Sequence, residues 1–192
     1  IDYDSTITAM CWLQQRRGAE PVAIALPEPC DAATVVQVYA DALARHPRLK
    51  LMLLTHVNNR NGMLLPVAEI AALAKARGVD VMVDAAHAVG QVDMQVGELG
   101  ADFVGINLHK WIGAPVGVGA MYVRRGRVAD IDPYMGDPDR GIASRVHTGT
   151  ANFAAFLALP AALEFHAAIG VQAKRERLLL LRNRWRDGVR EV

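Results

Sequence analysis

The sequence predicts an α/β fold in which a mostly parallel sheet is sandwiched by helices. Three observations lead to this prediction. Short apolar runs recur along the 192 residues, and each is bounded by turn-forming or polar residues, as strands buried on both faces are. Segments of helical character, each roughly 12 residues long, separate these runs. Such alternation is typical of crossover units, which place the strands parallel to one another.

The predicted helices of the first half are delimited by capping and stop residues. They run from Ser5 to Arg17, from Asp31 to about Arg45 and from Pro66 to Arg77. Ser5 and Asp31 are suitable N-caps, and proline suits a first helical turn. Gly18 and Gly78 follow two of these helices as stops.

The predicted strands are short and apolar. They comprise Val22 to Leu26, Leu51 to Thr55, Val81 to Val83, Phe103 to Ile106 and Val118 to Val123. Towards the end of the chain we expect Pro160 to start a helix, because proline inside one costs about 3 kcal/mol. Gly170 then separates it from a charged helix over 171–192, whose apolar stripe is Leu178, Leu181 and Trp185.

Composition excludes several classes of function. Hydrophobic residues make up 52% and charged residues 21%, as in an ordinary globular protein, and a net charge of +1 gives no electrostatic case for nucleic acid or an acidic membrane. No uninterrupted run of about 18 apolar residues exists, so we predict no membrane span. The two cysteines and six histidines lack metal-ligand spacing, so we predict no metal site. We expect a cytoplasmic protein, although a chain that starts at Ile1 without a methionine leaves an N-terminal targeting segment open.

Lys110 and Asp84 are the leading candidates for chemistry. Lys110 follows a buried strand and has apolar neighbours, so desolvation would favour its uncharged, nucleophilic amine, which could form a Schiff base with an aldehyde cofactor. An ordinary solvated surface lysine is the alternative. Asp84 ends another strand and is either an N-cap or a carboxylate that pairs with a cofactor's pyridine nitrogen. Because neighbouring strands lie about 4.8 Å apart, an amine and a carboxylate at strand ends could grip one small aromatic ring. Pyridoxal phosphate requires that geometry.

Further polar residues follow the strand ends. His87 lies three residues beyond Asp84, and Asn59 lies in the loop after the strand at 51–55. Asn107 and His109 could donate hydrogen bonds to a phosphate. The segment 147–150, His-Thr-Gly-Thr, offers hydroxyls and backbone amides of the kind that bind anions.

Three segments resemble the class V aminotransferase family, a fold type I group of pyridoxal phosphate enzymes. They are Thr55 to Gly62, Val83 to Gln91 and Asn107 to Pro115. The family includes cysteine desulfurases and isopenicillin N epimerase-like proteins. The His-Lys-Trp run followed by Ala-Pro, and a histidine three residues after the aspartate, are nearer the epimerase-like branch. Desulfurases carry glutamine at the position of His87 and usually serine at that of Asn107, which argues against desulfurase activity.

The resemblance implies a role for each candidate residue. It implies that Lys110 forms the internal aldimine and that Asp84 pairs with the pyridine nitrogen. It places His87 and Asn59 near the phenolic oxygen of the ring, and Asn107 and His109 near the phosphate. Thr150 would reach the phosphate bound by the partner subunit. Shared sites of this kind imply a homodimer. Lys110, Asp84 and His87 are therefore the predicted catalytic residues, and pyridoxal 5'-phosphate is the predicted cofactor.

The resemblance also implies the domain organisation and the reaction. We expect residues 1–170 to form part of the large cofactor-binding domain and 171–192 to lead into a smaller C-terminal domain, in a chain that lacks both ends. The expected activity is at the α-carbon of an amino acid or amine: transamination, epimerisation or C–S cleavage. The alternative is a non-catalytic or regulatory relative that keeps the fold. A nicotinamide enzyme is disfavoured, because residues 113–119 lack both the Gly-x-Gly-x-x-Gly spacing and a following helix.

Overall fold

The structure is a computed structural model that describes residues 2–134, 141–146 and 149–190. Its helices and strands are, in chain order, α1 (Asp4–Arg17), α2 (Ala32–Arg45), β1 (Leu51–Thr55), α3 (Val67–Lys75), β2 (Asp80–Asp84), β3 (Phe103–Asn107), β4 (Gly119–Val123), α4 (Phe153–Leu157), α5 (Leu159–Ile169) and α6 (Val171–Arg190). Short 3₁₀ turns lie at Val96–Leu99, Val128–Asp130 and Ala143–Arg145.

The four strands form one sheet in the order β1-β2-β3-β4. β1 and β2 pair in parallel with Thr55 opposite Asp84, and β2 and β3 pair in parallel with Asp84 opposite Gly105. β4 runs antiparallel to β3, because the amide of Arg124 donates to Asp102 O whereas the amide of Leu108 donates to Val118 O. The predicted α/β fold with a mostly parallel sheet is therefore confirmed.

The predicted strand at Val22 to Leu26 is wrong. This segment is irregular in the structure, and Val22 is 43% exposed. A strand is stable only when its backbone groups pair with a neighbouring strand, and no strand of the described sheet pairs with this segment. Its β-branched and apolar residues therefore do not make it a strand.

The chain forms two compact units. The first comprises Ile1–Ala85, Val96–Gly105 and Tyr122–Arg124. Its core is apolar and fully buried, with members from β1, β2, β3 and α3: Leu54, Ile70, Ala71, Ala74, Val81, Val83 and Val104. On α3 the buried residues recur at helical spacing, so one face of this helix packs against β2. As predicted, Asp31 caps α2, accepting a hydrogen bond from Thr34 N at 2.8 Å.

A buried carboxylate links the elements of this first unit. Asp102 is 0% exposed, and its Oδ1 lies 3.1 Å from Lys75 Nζ and 2.7 Å from Arg124 Nη2. Its Oδ2 accepts a hydrogen bond from Val81 N at 2.9 Å. Burial alone would raise the pKa of Asp102, but the hydrogen bonds from Val81, Arg124 and Lys75 outweigh it and lower the pKa to about 2. The charged carboxylate thus joins α3, β2 and the end of β4.

The second unit comprises Ala86–Gln95, Ile106–Met121 and Arg125–Val192. Ala114, Val118 and Ala155 form its buried apolar cluster. α5 carries Pro160 in its first turn, as predicted, and Gly170 ends it. The predicted stripe on α6 is largely open to solvent, since Leu181 and Trp185 are both exposed.

Among the described residues, no single helix is long and apolar enough to cross a membrane. The segments Phe153–Ile169 and Val171–Val189 meet that requirement only as a pair, and they are bent by 68° at the break between them.

Two backbone segments of the second unit lie directly against each other at Gly90. This glycine has a φ of +89°, and a Cβ atom there would lie 2.9 Å from the carbonyl carbon of Trp111 and 3.1 Å from Ile112 N. Real Cβ atoms essentially never lie closer than 3.0 Å to a heavy atom outside their own residue and its two chain neighbours. Gly90 therefore lets the turn after β2 lie against the backbone of 111–112.

Asp102→Asn should weaken the pH dependence of stability. The folded-state pKa of Asp102 is about 2 against an ordinary 3.8, so the unfolded state binds more protons between these values. The carboxylate therefore contributes about 2 kcal/mol above pH 4, and this contribution is lost as the pH falls towards 2. Urea unfolding from pH 7 to pH 3 measures it. Asp187→Asn is the control, because Asp187 is an exposed partner of Arg186. Parallel pH curves for wild type and Asp102→Asn would contradict the assignment.

Gly90→Ala should destabilise the protein more than Gly113→Ala. Both glycines have positive φ (+89° and +82°), so alanine costs roughly 1–2 kcal/mol of backbone strain at each. Only at Gly90 does the new Cβ also meet backbone atoms, which adds about 1–3 kcal/mol of overpacking. Gly113 has no atom within 4 Å of its Cβ position and is the matched control. Equal changes in the free energy of unfolding would show that the close approach at Gly90 is not energetically important.

Candidate active site

Asp84 is the last residue of β2, as the sequence predicted. It lies in the first unit, half-buried, opposite Thr55 of β1 and Gly105 of β3, and its carbonyl accepts a hydrogen bond from His56 N at 2.9 Å. No helix begins at 85–95, all of which the structure describes, and the next helical turn is Val96–Leu99. Asp84 is therefore not the N-cap of a following helix, and it lies at the carboxyl end of a central parallel strand.

His56, directly after β1, is a residue that the sequence prediction missed. Its side chain is 6% exposed, and Nδ1 has no hydrogen-bond partner among the described residues. Burial lowers the pKa of His56, so the imidazole is neutral at physiological pH. Its position one residue beyond a buried strand was the signal that could have identified it.

The two adjacent asparagines in the loop after β1 differ in burial. Asn59, the predicted cofactor contact, is exposed. Asn58 is buried, and its Oδ1 accepts hydrogen bonds from Arg60 N at 2.7 Å and Asn61 N at 3.3 Å. Asn58 therefore shapes the loop, while the role of Asn59 stays a prediction.

Lys110 and His87 come together in the second unit. Lys110 Nζ lies 3.1 Å from His87 Nε2, and both side chains are half-buried. The indole Nε1 of Trp111 donates to the other ring nitrogen, His87 Nδ1, at 3.2 Å. The two rings meet edge to face, with centroids 6.4 Å apart. The sequence predicted a shared site for Lys110 and His87, but not the contact from Trp111.

Asn107 and His109 also contact each other. Asn107 Nδ2 lies 3.5 Å from His109 Nε2, and His109 Nδ1 lies 3.0 Å from Val118 O. A carbonyl oxygen only accepts, so Nδ1 carries a proton and donates to Val118 O. These two predicted phosphate ligands therefore lie side by side after β3.

Thr150, the residue predicted to reach a partner's site, is exposed. Gly149 before it has a φ of +58°. His147 and Thr148 of the same predicted anion-binding segment lie outside the described residues.

Lys174 on α6 anchors the segment that carries Lys110. Its Nζ donates to the carbonyl oxygen of Trp111 and lies 2.8 Å from His166 Nδ1 on α5. Burial lowers the pKa of Lys174, and burial together with the charge of Lys174 lowers the pKa of His166. Neutral His166 can accept a hydrogen bond from the Lys174 ammonium, and Lys174 thus fixes the peptide group between Trp111 and Ile112 relative to α6.

Among the described residues, no group of three or more His, Cys, Asp or Glu side chains is arranged to hold a metal ion. Of the candidate residues, the second unit carries the amine of Lys110, the imidazoles of His87 and His109 and the amide of Asn107, and the first unit carries the carboxylate of Asp84 and the amide of Asn59.

Comparison with known proteins identifies the family. The family model described as "Aminotransferase class-V" matches residues 1–192. The isopenicillin N epimerase of Streptomyces clavuligerus is 32% identical over 198 residues, which cover 92% of this chain and 49% of the epimerase. A probable chloroplastic L-cysteine desulfhydrase of Arabidopsis thaliana is 35% identical over 162 residues, covering 78% of this chain and 34% of the relative.

A solved structure shows the same fold. The apo structure of a cysteine desulfurase from Thermococcus onnurineus NA1 superposes with a TM-score of 0.77 and 23% identity over 99% of this chain and 49% of that one. The chain thus spans about half the length of the epimerase and the desulfurase, and about a third of the desulfhydrase. The chain belongs to the class V aminotransferase family, whose cofactor is pyridoxal 5'-phosphate.

Proposed function

We propose that this protein is a pyridoxal phosphate-dependent enzyme that acts at the α-carbon of an amino acid or amine. The observation that carries the proposal is the position of Lys110, with its amine 3.1 Å from His87 Nε2 in the loop after β3. The residues present fit the cofactor chemically. An amine can bind its aldehyde, a carboxylate can pair with its ring nitrogen, and the amide and imidazole groups after β3 can bind its phosphate.

Lys110 has two tasks in this proposal. Its Nζ would hold the cofactor by a covalent bond to the aldehyde carbon, formed with loss of water. After the substrate's amine has displaced it, the freed neutral amine would take up the proton from the substrate's α-carbon. When bound, pyridoxal phosphate supplies an electron sink for the negative charge that forms at this carbon. His87 lies within hydrogen-bond distance of Lys110 Nζ, so it can orient the amine for both tasks.

Asp84 is proposed to hold the proton on the cofactor's ring nitrogen. An ionised carboxylate favours the protonated pyridine, and each pKa unit of this preference is worth about 1.36 kcal/mol. The location of Asp84 at the carboxyl end of a parallel strand supports this role, as does the lack of a helix for it to cap at 85–95. Asn107, His109 and Asn59 are the proposed polar contacts to the remaining cofactor oxygens.

The proposed reaction class is set by the step that epimerases, aminotransferases and C–S lyases share, which is removal of the α-proton. Two of the relatives bear the names of an epimerase and a cysteine desulfhydrase. His87 and Asn107 replace the glutamine and serine of desulfurases, which supports the epimerase-like branch over a desulfurase. Which step follows proton removal depends on groups that bind the rest of the substrate.

We further propose a homodimer in which Thr150 reaches the partner's site. Thr150 is exposed, and the second unit carries large exposed apolar side chains at Phe153 and Leu157 (69% and 80%). Light scattering of the full-length protein should give twice the mass of one chain. A monomer that binds the cofactor with full occupancy would contradict the shared site.

Borohydride reduction should place a pyridoxyl adduct on Lys110. The full-length protein is purified with pyridoxal phosphate, reduced and mapped by peptide mass. Reduction traps the bond between an amine and the cofactor's aldehyde, so the adduct identifies the amine. Lys110→Ala should bind cofactor without an adduct and lose turnover, whereas Lys75→Ala should keep the adduct, because Lys75 pairs with Asp102 instead.

The same preparations test Asp84. Asp84→Ala should keep the Lys110 adduct but slow exchange of the α-proton of L-alanine or L-cysteine in deuterated water far more than it lowers thermal stability. Equal losses in both would point to a structural role for Asp84. A folded wild-type protein that forms no adduct would instead favour the non-catalytic relative.

A further inference from the structure

His87 contacts two consecutive residues through its two ring nitrogens. Trp111 Nε1 donates to Nδ1 at 3.2 Å, and Lys110 Nζ lies 3.1 Å from Nε2. An indole N–H is only a donor. Nδ1 of His87 therefore accepts, and it carries no proton.

The position of the ring proton of His87 decides whether a charged or an uncharged Lys110 can form a hydrogen bond with Nε2. A neutral imidazole without a proton on Nδ1 carries it on Nε2, and Nε2 is then a donor. A lysine ammonium has three donors and no acceptor. The contact between Nε2 and Lys110 Nζ is thus a hydrogen bond only when Lys110 is an uncharged amine whose lone pair accepts. The imidazolium form of His87 would turn an Nδ1 proton towards the indole N–H, which is also unfavourable.

The indole donor is held by contacts of its own residue. The carbonyl oxygen of Trp111 accepts a hydrogen bond from Lys174 on α6. The carbonyl carbon of Trp111 also lies so close to Gly90 that a Cβ atom there would be 2.9 Å away. The backbone of Trp111 is therefore fixed independently of His87.

We propose that Trp111 is a positioning residue: its indole N–H fixes His87 as the Nε2–H tautomer, and this tautomer favours the uncharged form of the Lys110 amine. The inference deepens the proposed function and rests on it, because an uncharged amine is the form that bonds to an aldehyde and accepts an α-proton. Without the indole N–H, His87 can carry its proton on Nδ1. Nε2 then accepts from the Lys110 ammonium, and the charged form is favoured.

The tautomer can be measured directly in the full-length protein after its cofactor has been removed. In protein labelled with ¹⁵N-histidine, long-range ¹H–¹⁵N correlation distinguishes the two tautomers, and the His87 signals are assigned by their loss in His87→Gln. We expect Nε2–H in the wild type and a shift towards Nδ1–H in Trp111→Phe. An Nδ1–H ring in the wild type overturns the inference. The wild-type spectrum therefore tests the inference even if Trp111→Phe does not fold.

The second readout is the reactivity of Lys110 in the same cofactor-depleted protein. Labelling with acetic anhydride at a series of pH values, read by peptide mass, gives the pH at which Lys110 reacts at half its maximal rate. Trp111→Phe should raise this pH by about half to one unit, which corresponds to one hydrogen bond. Trp185→Phe is the matched control and should leave it unchanged, because Trp185 is 71% exposed on α6. An unchanged value in folded Trp111→Phe overturns the inference.

The two proposals fail in different ways. If Lys110 forms no pyridoxyl adduct while the wild-type ring is the Nε2–H tautomer, the cofactor role is wrong and the side-chain arrangement stands. If the adduct forms while the ring is the Nδ1–H tautomer, the cofactor role stands and Trp111 does not act through His87.

Discussion

The buried carboxylate of Asp102 is the interaction on which the geometry of the first unit depends. It is the residue before β3, yet it accepts a hydrogen bond from the amide of Val81 in β2 and pairs with cations from α3 and from the end of β4. These contacts fix β2 against β3 in one register. Because successive residues of a strand point to opposite faces, a slip of one residue would turn Asp84 to the other face of the sheet. The position of Asp84, the proposed partner of the cofactor's ring nitrogen, thus depends on a charge beside the opposite end of its strand.

In the second unit, the proposed chemistry depends on which side-chain nitrogen atoms carry protons. The indole of Trp111 contacts the imidazole of His87, and this imidazole contacts the amine of Lys110. The indole N–H can only donate, so Nδ1 of His87 accepts. Nε2 of His87 then donates, and the amine of Lys110 accepts. In the proposed arrangement, this hydrogen-bonding geometry favours the uncharged, nucleophilic form of the Lys110 amine.

The sequence was a good guide to residues that follow strands and a poor guide to contacts between side chains. The positions of Asp84, Asn107 and Lys110 at or after strand ends could be predicted because short apolar runs mark strands. Ligands bind at strand ends in parallel sheets, so the functional role of these residues stays a prediction. The contacts of Trp111 and Lys174 could not, since they depend on the orientation of side chains far apart in sequence. His56 was missed because one histidine in a polar loop looks like any other until its burial is known. Val22 to Leu26 was predicted wrongly because strand propensity does not supply a pairing partner.

The antiparallel direction of β4 affects how the loop that carries Lys110 folds. The parallel pairs β1–β2 and β2–β3 need crossover connections, whereas the antiparallel return of β4 closes residues 108–118 as the loop of a hairpin, through the hydrogen bond from Leu108 N to Val118 O. Contacts inside such a hairpin join residues about ten apart, so the entropy lost on closing the loop is small and the contact order is low. Hairpins form within microseconds, while non-local strand pairing is slower. The loop that carries Lys110 can therefore form early in folding, before the sheet that supports it is complete.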